Sequence, residues 1–182
     1  MEKIFESRLI NELNVRRGQG LYREVRTYEG NWLNLSANDY FLLRNHPKII
    51  SIANETAKTY GTGSGASPLL SGFLPCHEEL INKLLNWKNK KFGILFNSGF
   101  MANQAIIKNL PGIDDLIITD KLIHHSILQA LYRESKNFKR YNHLDLDHLE
   151  KILALNINNY KTLFVITESV FSMDGDYPDL KG

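Results

Sequence analysis

Between Phe92 and Thr167 short apolar runs alternate with helical patterns, and this alternation limits the fold more than any other feature of the chain. Phe92 to Phe96, Asp115 to Thr119, Phe138 to Tyr141 and Thr162 to Thr167 read as four strands, the third being the most polar. Gly99 to Leu110, His124 to Ser135 and Asp145 to Leu155 read as the intervening helices, with Asp145 a candidate N-cap. Strands joined by helices of about ten residues return by right-handed crossovers. The expected fold is therefore α/β: a mainly parallel sheet with flanking helices.

An N-terminal helical segment precedes this sheet. Ile4, Phe5, Leu9, Ile10 and Leu13 recur near a helical period over residues 3 to 17, and Arg16-Arg17-Gly18-Gln19-Gly20 breaks it. Trp32-Leu33-Asn34-Leu35 reads as a brief strand and Ser36 to Tyr40 as a turn. Pro47 suits the first turn of a helix running to about Tyr60. Residues 61 to 75 read as a loop punctuated by glycine and proline. A helix from Cys76 to Trp87 follows, with Leu80, Ile81, Leu84 and Leu85 as its stripe. The expected division is an N-terminal helix and irregular segment over 1–45, then the sheet-bearing domain over 46–182.

Composition narrows the function classes. A net charge of +2 gives no electrostatic case for nucleic acid or an anionic membrane as partner. The tight basic run Lys88-Asn89-Lys90-Lys91 reads as a solvated helix end. Cys76 is the sole cysteine, so no internal disulfide forms, and a reducing compartment suits it. The first residues are too charged for a signal peptide, and no apolar run approaches the ~20 residues of a membrane span. The expected location is the cytoplasm.

Three segments follow strands and carry chemistry. Asn97-Ser98-Gly99-Phe100 lies at a strand-to-helix turn, where free N–H groups and the helix dipole suit a phosphate. An ordinary turn capped by Ser98 is the plainer alternative. Asp120 to Ser126 places His124 at the same edge of the sheet, where its planar ring could stack on a flat cofactor. No Cys/His set stands at metal-ligand spacing. Glu168, Ser172, Asp174 and Asp176 follow the last strand, as acid/base groups or as the residues of a tight turn. The loop Gly61-Thr62-Gly63-Ser64-Gly65 lacks the preceding strand that a dinucleotide fingerprint needs. It reads as an active-site loop or a connector.

In this order and spacing, the segments resemble the N-terminal half of the α-oxoamine synthases, pyridoxal-phosphate enzymes of aminotransferase fold type I. The likeness runs from Arg16-Arg17 to Asp176. It is strongest at Asn34 to Tyr40, Gly63 to Ser67 with Ser71-Gly72 and His77, Ser98 to Gln104, Asp120 to Ser126, and Glu168 to Asp176. Ser98-Gly99-Phe100-Met101-Ala102-Asn103-Gln104-Ala105 and Phe171 to Asp176 look most like the biotin-pathway branch. The glycine C-acetyltransferase branch tends to carry cysteine at the place of Gly99 and another residue at Asp176.

The resemblance implies that residues 46–182 form the N-terminal half of a pyridoxal-phosphate-binding large domain. Gly99 and Phe100 would give backbone N–H groups to the cofactor phosphate. His124 would stack on the pyridine ring and meet the substrate. Ser172 would bond near the phenolic oxygen, and Glu168 would stand behind these contacts. Arg23 would help hold the substrate, and Asn38 would lie in a segment that approaches the site across a homodimer interface. The implied reaction joins L-alanine to a pimeloyl thioester with loss of CO₂, so the implied partners are small molecules.

Two departures qualify the likeness. Pro68 stands where many members have a basic residue or glycine. The family's Schiff-base lysine, its pyridine-pairing aspartate and a second histidine all come after the segment matched by Phe171 to Asp176. Lys181 comes too early to be that lysine. The resemblance thus implies a chain without its catalytic lysine and inactive alone. Other α-oxoamine synthases, and a non-catalytic or split-enzyme partner chain, stand as the alternatives.

Overall fold

The structure is a computed structural model that describes residues 2–30, 32–134 and 136–180. Ser135, at the expected end of a helix, and Lys181 lie outside the described residues. The chain forms two compact units, Met1–Gly63 and Ser64–Gly182.

The first unit is helical. Helix α1 spans Glu2–Gly18 and ends on Arg16 and Arg17, whose charges suit the negative end of the helix dipole. The expected strand at Trp32 to Leu35 is absent. The side chain of Asn34 instead accepts from Ser36 N–H at 3.0 Å, the local bond of a turn. Trp32, Leu33 and Leu35 stay exposed, and among the described residues no neighbouring strand offers them a ladder. Asp39 accepts from Leu43 N–H at 2.7 Å, steering the chain into a 3₁₀ turn over Leu43–Asn45. Helix α2 spans Pro47–Tyr60, with the proline at its start as expected.

The second unit opens with a single π-helical turn, Pro68–Gly72, inside the stretch read as plain loop. Gly72 is buried, and a Cβ there would lie 1.8 Å from the carbonyl oxygen of Ala66. Helix α3, Pro75–Lys88, is preceded by a backbone N–H of Leu74 that donates to Nδ1 of His77 at 3.0 Å. It ends where Asn89 turns left-handed at φ 50°. Then α4 (Gly99–Asn109), β1 (Leu116–Asp120), α5 (His125–Arg133), β2 (Phe138–Tyr141), α6 (Leu146–Asn156) and β3 (Leu163–Ile166) alternate. Asp145 caps α6, accepting from His148 N–H at 2.9 Å.

Among the described residues the sheet has three strands, not four. Its order is β2-β1-β3 and both pairings are parallel. Phe92 to Phe96 is not a strand, because no described strand lies beside it to share hydrogen bonds; Phe92 and Ile94 are left exposed.

Strand β1 is buried along its whole length. Its side chains alternate between two cores, as the period of two requires. Ile117 joins Ile107 of α4 and Ile127, Ala130 and Leu131 of α5. Leu116 and Ile118 join Ile152 of α6 and Tyr141. Each buried leucine or isoleucine among them contributes about 1.5–3 kcal/mol. Helices therefore cover both faces. The connection leaving β1, through α5, covers one face and the connection leaving β2, through α6, covers the other. In open α/β sheets such a reversal leaves a crevice outside the carboxyl ends of the strands.

Candidate functional site

Two strand-end segments and the start of α4 meet at the carboxyl edge of the sheet. From α4 come Gly99, Phe100 and Asn103. From the start of α5 comes His124. From the chain after β3 come Thr167, Glu168, Ser169 and Val170. Together they line a cleft of about 480 Å³.

The α4 end is built by Ser98, whose hydroxyl accepts from Met101 N–H at 3.2 Å. The capping reading of Ser98 thus holds. The cap leaves the N–H groups of Gly99 and Phe100 without helical acceptors, since an α-helix gives its first turn none. Nothing lies within 4 Å of where a Cβ on Gly99 would stand. The positive end of the helix therefore opens directly onto the cleft.

His124 is held by its own helix start. Its Nδ1 accepts from Ser126 N–H at 3.2 Å and lies 2.7 Å from the Ser126 hydroxyl. A backbone N–H only donates, so the ring proton sits on Nε2. Ser126 is fully buried and accepts in turn from Asn103 Nδ2 at 2.9 Å. Gln104 Nε2 donates to the Ser126 carbonyl at 3.1 Å and to Gln129 Oε1 at 3.2 Å. These bonds tie α4 to α5, so the phosphate-suited turn and the imidazole are positioned by one network.

Beneath the cleft, β1 ends in Asp120, fully buried. Its Oδ1 accepts from Leu122 N–H at 2.7 Å and its Oδ2 from Leu144 N–H at 3.0 Å. His143 lies against it, with Nδ1 2.9 Å from Asp120 Oδ1 and Nε2 3.0 Å from Asp176 Oδ2. Bonds to Asp120 and then Asp176 raise the pKa of His143 above its ordinary value. Burial raises that of Tyr141, at the end of β2.

Of the residues singled out from the sequence, Gly99, Phe100, His124 and Glu168 come together around the cleft. Ser172 stands in the turn that follows and is not among the lining residues. Arg23 and Asn38 belong to the first unit. Sequence reasoning passed over Asn103, Ser126 and His143 as individual residues. Asn103 sits one helical turn beyond Gly99, and His143 follows β2 as His124 follows β1; both spacings carried the signal. A larger groove of about 590 Å³, lined by Phe73, His77, Leu80, Ile81 and Ile94 among others, is mostly apolar. Its polar side chains are Ser64, His77 and Asn97, and it holds neither the open N-terminus of α4 nor an acidic group, so the smaller cleft is the candidate site. Among the described residues no group of three His, Cys, Asp or Glu side chains could hold a metal ion. No helix among them is long and apolar enough to cross a membrane.

A family model for aminotransferase class I and II matches residues 30–182. The chain belongs to that family. Within it, the chain is 40% identical to the 8-amino-7-oxononanoate synthase of Vibrio vulnificus over 97% of its own length and 48% of the relative's. It is 38% identical to the same enzyme of Vibrio atlanticus, over 98% and 46%. The chain thus spans about half the length of the curated relatives it matches. Among solved aminotransferase-family structures, a serine palmitoyltransferase from S. paucimobilis with a bound PLP–myriocin aldimine superposes with a TM-score of 0.71. Identity there is 30%, over 75% of this chain and 35% of that one. The 8-amino-7-oxononanoate synthase of Francisella tularensis gives a TM-score of 0.66 at 28% identity, over 80% and 39%. These are α-oxoamine synthases, and the chain carries a partial fold of the same type.

Proposed function

We propose that the cleft is a seat for pyridoxal 5'-phosphate and that the chain serves an 8-amino-7-oxononanoate synthase, acting as a homodimer. One observation carries this: the open N-terminus of α4 at Gly99 and Phe100 and the imidazole of His124 line the same cleft. A phosphate and a flat ring on one molecule need that pair. The fit is supported by the empty space at Gly99, which lets an anion reach backbone N–H groups.

When bound, the cofactor supplies an electron sink for a carbanion beside an amino group, which a thioester then acylates with loss of CO₂. The chain's own residues bind and orient. Gly99 and Phe100 donate N–H groups to the phosphate. His124, its proton kept on Nε2 by Ser126, presents its ring face as a wall. Glu168 borders the same space, and Ser172 follows on the next turn. The substrate roles of Arg23 and Asn38 rest on the family resemblance, not on a contact.

The test is an absorbance and fluorescence titration of the chain with pyridoxal phosphate, repeated with inorganic phosphate as competitor. Saturable binding relieved by phosphate is expected. Absence of binding, or binding indifferent to phosphate, counts against the seat. The likeness to serine palmitoyltransferase at TM-score 0.71 favours a second reading, an α-oxoamine synthase with another amino acid and acyl donor. Growth of a biotin-requiring strain on the gene would count against it.

A further inference from the structure

His143 takes no part in the proposed cofactor contacts, yet its ring is bracketed by two carboxylates at 2.9 and 3.0 Å. The ring stands edge-on to buried Phe171, with centroids 4.6 Å apart at 88°. A neutral imidazole has one N–H and an ionised carboxylate only accepts. Both contacts are satisfied together when the ring carries both protons. Asp120 cannot swing aside, because it is fully buried and holds the N–H groups of Leu122 and Leu144. Asp176 is fixed on the other side: its carbonyl accepts from Phe171 N–H at 2.9 Å, and Gly175 N–H donates to the Phe171 carbonyl at 2.7 Å.

We propose that His143, as an imidazolium, is a positioning residue that clamps Asp120 at the end of β1 to Asp176 and so holds the 171–176 turn, with Ser172 on it, beside the cleft-lining segment 167–170. The clamp rests on the cofactor reading only for what Ser172 does there. The titratable groups on the neighbouring segments are Asp120 at the end of β1 and Lys121 after it, and Lys139, Arg140 and Tyr141 on β2. Asp145, Asp147 and His148 stand at the start of α6, and Glu168, Asp174, Asp176, Tyr177 and Asp179 follow β3. The raised pKa fixes the sign: the clamp's contribution is complete below the unfolded value of about 6.5 and is lost as pH rises through the folded value.

The test uses the full chain with no cofactor, so its failure leaves the cofactor reading standing. Nitrogen-15 spectra of histidine-labelled protein are expected to show both ring nitrogens of His143 still protonated after a histidine of ordinary pKa, about 6.5, has titrated. Intrinsic-rate-corrected amide protection at Phe171 and Gly175 is expected to fall about tenfold through that titration. Asp176→Asn, in a half-buried turn residue outside the two cores, is expected to return the titration toward the ordinary value and to lower the same two protections at neutral pH. A singly protonated ring at neutral pH overturns the clamp. So does an Asp176→Asn chain whose titration and protection are unmoved.

Discussion

The hydroxyl of Ser126 lies 2.7 Å from Nδ1 of His124 while accepting from Asn103 on the neighbouring helix. One buried oxygen thus serves two helices. Ser126→Ala leaves Asn103 Nδ2 without its acceptor in a part-buried place, at a cost of about 1–3 kcal/mol. Urea denaturation is the measurement. The backbone N–H of residue 126 still donates to Nδ1, so nitrogen-15 spectra should continue to show the His124 proton on Nε2. An alanine variant as stable as the parent would sink this account of the network.

Gly99→Asp separates stability from ligand binding. A Cβ at Gly99 meets nothing, and an acidic side chain in the first turn suits the helix dipole. The melting temperature should hold or rise slightly. The same charge fills the anion seat, so pyridoxal phosphate affinity should fall at least about tenfold, as repulsion and a lost charge-assisted bond would give. Calorimetric titration beside a thermal melt reads both at once.

Gly72→Ala tests the π-helical turn. A Cβ 1.8 Å from a carbonyl oxygen cannot be met by a side-chain rotation, since the obstacle is backbone. The turn must open, costing about 1–3 kcal/mol as overpacked sites do. Equilibrium unfolding of the variant should show that loss; Gly63→Ala, with open space at its Cβ, is the comparison that should not.

Acid should loosen α6 before the central strand. The pKa of Asp145 is lowered, first by the N–H of His148 and then by Asn142. A lowered value contributes stability that is present above the unfolded pKa, near 3.8, and is lost as pH falls through the folded one. Amide exchange in the first turn of α6 should therefore quicken below that range. Asp145→Asn, an equally good cap without a titrating charge, should remove the acid dependence while keeping the helix.

The alternation of elements was readable because β1 and its helices are decided by burial. Leu116 to Ile118 reads as an unbroken apolar run, and the strand is buried on both faces. The caps Ser98 and Asp145 were readable for a local reason, since a cap acts within its own turn. Phe92 to Phe96 reads as a strand from side-chain preference, but a strand exists only with a neighbour, and sequence preference is silent about neighbours. Trp32 to Leu35 failed for the same cause. At the cleft, Gly99 and His124 stood out because each follows an apolar run. The Asn103–Ser126 bond joins residues on two helices, and the His143 bridge spans 23 and 33 residues of chain. Such pairings come from how strands are ordered, which residue patterns alone do not reveal.

The alternating cores around β1 leave a question of alignment that apolar contact does not answer. A slip of β1 by one residue would turn Ile117 toward α6 and Ile118 toward α5, and either isoleucine would be greased by either side. What tells the two alignments apart is Asp120. In the observed one its carboxylate meets two backbone N–H groups and an imidazole. In the slipped one it would lose Leu144 N–H and the imidazole, and a buried carboxylate short of its partners is a cost no repacking of methyl groups recovers. The acid at the end of the strand thus acts as the notch that lets the central strand seat in one position only.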